Sequence, residues 1–295
     1  MPGAGSATVA FAMEPEYLGD PVDPTYYQPG KDIEVTELSL QNALQRVYDP
    51  SSPEPLESLV GNLEGAVSVT FTLTNDNWHE AVFNDGGTAF TSGRMPSSRW
   101  YFGVDYLDGT TERVAKGAVV TEATISYQQG ERVTASLTLI YGDEAQEESI
   151  TPADIEKAGE GAVHNFSGAD LDVDAVGQSK LQSADVSITT NARFHRGTQR
   201  QPLDATIGGV ETTLSTDAIY SGPTQMDIAY GGATPVDALD AVDADLSFEN
   251  SLEETIGYSF GGLKPDTYGW NDLVNPDTDL TESIQYHVST VEVAE

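Results

Sequence analysis

The strongest candidate for a nucleophile in this 295-residue chain is Gly257-Tyr258-Ser259-Phe260-Gly261. It fits G-x-S-x-G, the sharp strand-to-helix turn that exposes a serine, and Asp272, Asp277, Asp279 and His287 come after it in the serine–acid–histidine order of an α/β-hydrolase. Its surroundings argue against that chemistry. Gly262-Leu263-Lys264-Pro265 breaks any helix that would continue from the serine. Only 28 residues separate Ser259 from His287, too few for intervening βα units, and no Gly-rich oxyanion loop lies upstream.

Metal chemistry fares no better. Asp170, Asp172 and Asp174 have the spacing that opens an EF-hand loop, but Ala175 stands where its glycine belongs and Leu181 where its bidentate glutamate belongs. Asp237, Asp240 and Asp243 recur at helical spacing and would make one acidic face. His79, His164, His195 and His287 are scattered without zinc spacing, and the chain has no cysteine. That removes cysteine nucleophiles, iron–sulfur clusters and disulfide scaffolds. No phosphate loop or dinucleotide fingerprint is present, and Asn165-Phe166-Ser167 is a formal glycosylation acceptor of the kind that arises by chance. The expectation is no catalytic residue, no metal site and no cofactor.

Charge is the dominant compositional fact. Thirteen Lys and Arg face 48 Asp and Glu, a net charge of −35, and only five of the basic residues are lysine. Such a chain repels itself in dilute buffer and is relieved by salt, since the Debye length falls to about 3 Å at 1 M. The pattern resembles that of proteins from salt-loving sources. It excludes ordinary gripping of nucleic acid, which needs cations against phosphates, but does not exclude a surface past which DNA slides without sticking. The local cluster Arg193, His195, Arg196 and Arg200 stands out, and pairing with an acidic neighbouring subunit is the expected use. No apolar run approaches the roughly 20 residues of a membrane helix. The absence of a basic residue before Lys31 gives no sign of a secretory leader.

The elements that must carry these residues are mostly strands. Val67-Ser68-Val69-Thr70-Phe71-Thr72-Leu73 alternates strictly. A short helix is expected from Asn75 or Asp76, with Trp78, Val82 and Phe83 on one side, ending at Asp85-Gly86-Gly87. Trp100–Tyr106 reads as a strand turned at Asp108-Gly109, and 119–141 as a hairpin turned at Gln128–Glu131. Further strands are expected at 184–189, 205–216, 226–230, 244–249, 256–260 and 282–293, with a second short helix in Thr234–Asp245. Residues 1–31, with five Pro and four Gly, read as an extended arm, and polar 142–180 as a linker.

Three stretches recur in order. Glu37–Ala43 echoes Asp185–Ala192, Val67–Leu73 echoes Val210–Thr216, and Thr121–Tyr127 echoes Thr281–Tyr286. The division this suggests is an arm (1–31), a first β-unit (32–142), a linker (143–180) and a second β-unit (181–295).

A Pro/Gly arm closing on Tyr26-Tyr27-Gln28-Pro29-Gly30, then Leu38-Ser39-Leu40-Gln41-Asn42, a strand–helix pair at 67–84, a hairpin after Gly117 and the strand Ser183–Ile188 with Asn191 together resemble the tail tube proteins of long-tailed viruses. The salt signature points to a virus of a haloarchaeon. The resemblance implies a mainly β fold, a tail-tube-like β-sandwich or half-barrel with one or two short helices, here as two tandem tube-like units. It implies a structural virion protein with no catalytic residues, made in the host cytoplasm. The protein would partner itself in stacked rings that conduct the genome, with other tail proteins at the tube ends and no membrane. Since such rings place six tube folds around the lumen, a duplicated chain would close as a homotrimer with pseudo-sixfold symmetry, and an unduplicated one as a homohexamer. The arm and long loops would reach between rings. The rival reading is an extracellular or S-layer-associated β-sandwich adhesion module of a halophile.

Overall fold

The computed structural model describes residues 7–22, 24–106, 109–146, 155–232, 234–274 and 277–294. The chain is mainly β, with two short helices among the described residues. Its backbone is one long antiparallel sheet. In spatial order the strands are Lys31–Gln41, Glu64–Thr72, Thr134–Tyr141, the second half of Gly109–Gln128, Leu181–Thr189, Glu211–Ile219, Thr281–Val288 and the second half of Thr255–Asn271. Period-2 alternation fixes which way each strand faces. Val67, Val69 and Phe71, then Val186 and Ile188, then Leu214 and Tyr286 are buried on one side.

Two strands are long because they serve two sheets. Gly109–Gln128 turns at Gly117 and pairs, before that point, with Ser98–Tyr106 and Asp143–Ala145. Thr255–Asn271 turns at Gly262 and pairs with Val242–Asn250 and Thr290–Ala294. Both glycines hold φ near +60° (62° and 66°), a conformation that penalises a Cβ. The flanking sheets are completed by Ala7–Met13 against Ser98–Tyr106 and by His164–Val173 against Val242–Asn250. Between the layers lies one continuous apolar cluster that includes Phe11, Phe71, Trp78, Trp100, Phe248, Tyr258 and Tyr286.

The same pairing pattern occurs twice. Glu64–Thr72 and Glu211–Ile219 have equal length, as do Thr134–Tyr141 and Thr281–Val288. Val67 faces Leu139 as Leu214 faces Tyr286, so both strands repeat at a shift of 147 residues. A bulge between Val120 and Glu122 recurs between Pro265 and Thr267. Ala43 and Asn191, 148 residues apart, both adopt positive φ (43° and 48°) and both open a hairpin. These hairpins are Gln45–Tyr48 with Pro55–Leu59, and Arg193–Arg196 with Pro202–Thr206. A helix comes after the second strand in each half: His79–Val82 and Thr224–Tyr230.

Several sequence expectations need correction. The echo of Glu37 with Asp185 is in register, since Leu38 faces Val67 as Val186 faces Leu214. The second echo joins equivalent strands four residues out of step, because Val67 corresponds to Leu214. The third joins strands that are not equivalent: Thr121–Tyr127 corresponds to the end of Thr255–Asn271. Thr-rich alternating strands match one another at any even shift, so sequence likeness alone cannot fix their register.

Residues 226–230 are helix rather than strand, and the helix expected in Thr234–Asp245 is absent among the described residues there, Val242–Asn250 being a strand. Pro223 at the start and left-handed Gly231 (φ 70°) at the end delimit the helix at Thr224–Tyr230, outweighing the apolar look of Met226–Tyr230. The arm is a packed element from Ala7 to Met13, where Ala10 and Phe11 are fully buried; residues 1–6 lie outside the described residues. Glu14 pins the chain just beyond that strand, accepting from Ser97 Oγ (2.8 Å) and from the backbone N–H groups of Gly117 and Leu18 (both 3.0 Å). The expected linker holds the strand His164–Val173, part of a flanking sheet, while 147–154 are outside the described residues, as is Asp108 of the expected turn.

Candidate functional site: a polar sheet face between two open edges

Each sequence-level candidate for chemistry has a structural position. Gly257–Gly261 lies inside a strand, where Ser259 Oγ donates to Asp245 Oδ1 (2.6 Å). His287 sits on the long sheet beyond the bend at Gly262, 3.8 Å from Asp266, so the structure does not bring Ser259 and His287 together as a pair. Asp272 is in an exposed turn at positive φ, and Asp277 and Asp279 are exposed beside it. Asp174 and Ala175, both at positive φ, make the two-residue turn joining Val173 to Val176, which accounts for the Asp170–Asp174 spacing without a cation. Asp237 and Asp240 are in a loop and Asp243 Oδ1 accepts from Gly262 N–H (3.0 Å). Asn165 Oδ1 caps its own turn by accepting from Ser167. Among the described residues no three His, Asp or Glu side chains are grouped to hold a metal.

Two histidines are structural. His79 is buried and its Nε2 lies 2.7 Å from Tyr258 Oη, tying the first helix to the second flanking sheet. Burial pushes its pKa down to about 4, outweighing the attraction of Asp76. His164 is buried too, with its pKa lowered by desolvation.

Two arginines of the basic cluster are engaged within the chain. Arg196 pairs with Glu64 (2.8 Å) and reaches the Leu63 carbonyl. Arg200 donates to the Gly61 carbonyl (3.0 Å) and to Asn42 Oδ1 (2.7 Å). His195 Nε2 meets Thr206 Oγ1 at 3.1 Å, and Arg193 is exposed. The hairpin carrying these residues is also seated on the first half of the chain. Met95 N–H donates to the Ala205 carbonyl (3.1 Å), Arg94 pairs with Asp204 (2.6 Å), and Ala205 and Val119 are wholly buried there.

What remains for function is the long sheet itself. Its face away from the core is built of hydroxyls and acids: Ser68, Thr70, Thr124, Ser126, Ser187, Thr213 and Ser215 with Glu64, Glu122, Asp185, Glu211 and Asp217. Such a face is acidic and poor in cations, so it offers phosphate groups little to hold.

The sheet has two edges without a strand partner among the described residues. One is Lys31–Gln41. Its carbonyls at Leu38 and Ser39 accept from Arg113 (3.2 Å) and Tyr141 Oη (2.7 Å). Arg113 is held by Glu144 through two bonds of 2.7 and 2.8 Å, so the strand is fixed in place in the single chain. Burial pushes the Glu144 pKa up, but the hydrogen bonds from Arg113 and Tyr141 win and hold it below its usual value. The other edge is the end of Thr255–Asn271, with an aromatic core-side surface. Trp270 Nε1 donates to Tyr268 Oη (2.6 Å), which donates to Glu282 (2.9 Å), and Tyr220 meets Trp270 edge-on at 5.4 Å. Burial raises the Glu282 pKa.

An alternating antiparallel sheet of eight strands, with an edge at each end that has no strand partner among the described residues, defines a mainly β protein. The chain belongs to the phage tail tube protein family, whose model matches residues 7–234. It is therefore a structural component of a virus tail tube. Among solved structures it is similar to Hcp1 from Flavobacterium johnsoniae at 15% identity, over 43% of this chain and 94% of that one, with a TM-score of 0.29. A likeness that loose adds no argument. No curated protein matches.

Proposed function

We propose that three copies of this chain close head to tail into a ring, that the rings stack into the tail tube, and that the polar sheet face lines a conduit for genome ejection. The observation that carries this reading is the parity of the long sheet. Eight strands alternate in direction, so its two end strands run antiparallel to each other. Copies joined end to end by a rotation therefore continue one antiparallel sheet without interruption.

Size favours three copies. A closed barrel of twenty-four strands at about 4.8 Å spacing is about 37 Å across with upright strands and about 50 Å at a tilt near 40°. That is room for a duplex, whereas six copies would double it and leave the duplex unguided. Each chain then contributes two tube-like units, 32–142 and 181–295, and the ring is pseudo-sixfold. The −35 charge supports a high-salt setting, a haloarchaeal virus of siphovirus type with the protein assembled in the host cytoplasm, because screening removes the repulsion between copies.

Imaging of purified protein in molar salt tests this. Threefold rings or stacked tubes are expected. Rings of six chains would overturn the stoichiometry, and persistent monomers would overturn the conduit in favour of an adhesion module.

A further inference from the structure

The junction between copies is already present once inside each chain. The second half of Gly109–Gln128 ends the first set of four strands and pairs with Leu181–Thr189, which begins the second. Their repeat equivalents are the two open edges: the end of Thr255–Asn271, and Lys31–Gln41. We infer that the pairing register between copies is that of this internal junction, transferred by the repeat. This rests on the ring reading above and adds to it a residue-level partner.

The transfer is fixed by shared neighbours. Gln41 faces Glu64 as Thr189 faces Glu211, so 37–41 correspond to 185–189. Glu122 faces Thr138 as Thr267 faces Gln285, so 122–126 correspond to 267–271. Inside the chain Val186 faces Ile125, Ser187 faces Thr124 and Ile188 faces Ala123. Between copies, Leu38 therefore faces Trp270, Ser39 faces Gly269 and Leu40 faces Tyr268.

Burial agrees with this. Val186, Ile188, Ile125 and Ala123 are no more than 1% exposed, while Leu40 is 39% and Trp270 42% exposed in the single chain. These are the apolar residues left uncovered at positions whose counterparts are covered, and the register brings an aliphatic edge against an aromatic one. The hairpin at 45–59 belongs to the same interface. Its counterpart at 193–206 is clamped onto the preceding four-strand set, whereas Tyr48 (53%) and Leu56 (72%) protrude. Seated the same way, this hairpin reaches the preceding copy beside Val242–Asn250.

Because the chain has no cysteine, paired substitutions report the register directly. Ser39→Cys with Gly269→Cys, oxidised or bridged by a short bis-maleimide in molar salt, should give covalent dimers and trimers. The shifted pair Gln41→Cys with Gly269→Cys should couple at least tenfold more slowly. Tubes that form normally while only the shifted pair couples would overturn the register and leave the ring intact. Failure of the unsubstituted protein to form rings would overturn the ring reading itself. Tyr48→Ser with Leu56→Ser, monomeric and folded, should lower ring yield severalfold; unchanged yield removes the hairpin from the interface.

Discussion

The two equivalent hairpins have opposite fates. Arg193–Thr206 is seated, held by Arg196 on Glu64, Arg200 on the Gly61 carbonyl and Arg94 on Asp204. Gln45–Leu59 stands free, exposed along its whole length, with Tyr48 at the position where its twin carries Arg196. Their backbones start alike, from left-handed Ala43 and Asn191. The difference lies in what each must grip. The first contact is made once, within a chain, and can use specific ion pairs. In the ring proposed above, the second forms between highly acidic copies in salt, where apolar burial survives screening and ion pairs do not.

That contrast can be broken at its strongest point by charging each junction. Val186→Asp buries a carboxylate in the internal junction and should cost more than about 4 kcal/mol, enough to unfold the chain. Leu40→Asp at the corresponding open edge, where the side chain is 39% exposed, should change monomer stability by less than about 1 kcal/mol yet abolish rings. Thermal unfolding and electron microscopy of the two variants side by side check both.

Acid should loosen the chain next. The folded pKa of His79 is about 4, against about 6.5 when unfolded, so between these values the unfolded state binds a proton that the folded state does not. Stability is full above pH 6.5 and falls as pH drops toward 4, by about 3 kcal/mol in all. Denaturant titrations at about pH 7.5 and about pH 4.5 should show the loss, and His79→Phe should remove the His79 share of it, leaving that of His164.

A smaller effect is expected from unclamping the seated hairpin. Arg196 and Glu64 are partly solvent-exposed, so the ion pair itself contributes little. Arg200→Ala with Arg196→Ala should cost about 1–2 kcal/mol and speed hydrogen exchange at Met95 N–H, with the global fold retained. The smallest effect is on the free hairpin: Leu56→Ser should move monomer stability by less than about 0.5 kcal/mol.

Much of the fold can be read from residue order. Strict alternation identifies Val67–Leu73, Ala123–Tyr127 and Val133–Leu139, and Trp78, Val82 and Phe83 mark the first helix. The helix at Thr224–Tyr230 escapes such a reading because Met226, Ile228 and Ala229 suggest a strand, and only its Pro223 and Gly231 boundaries reveal it. The arm escapes it because Pro and Gly flank Ala7–Met13, a buried strand whose partner Ser98–Tyr106 lies about ninety residues further along the chain. The site is legible only in part. Leu38-Ser39-Leu40 and Trp270 look like any strand residues, and nothing local tells an edge from an interior.

Sequence alone determined the strand-rich character and the acidic excess, because these depend on composition and short-range periodicity. Tertiary structure decided which strands are neighbours, how the repeat is registered and where the sheet is left open. A period of two specifies a strand's faces but not its partners, and an open edge exists only once every other strand has found one.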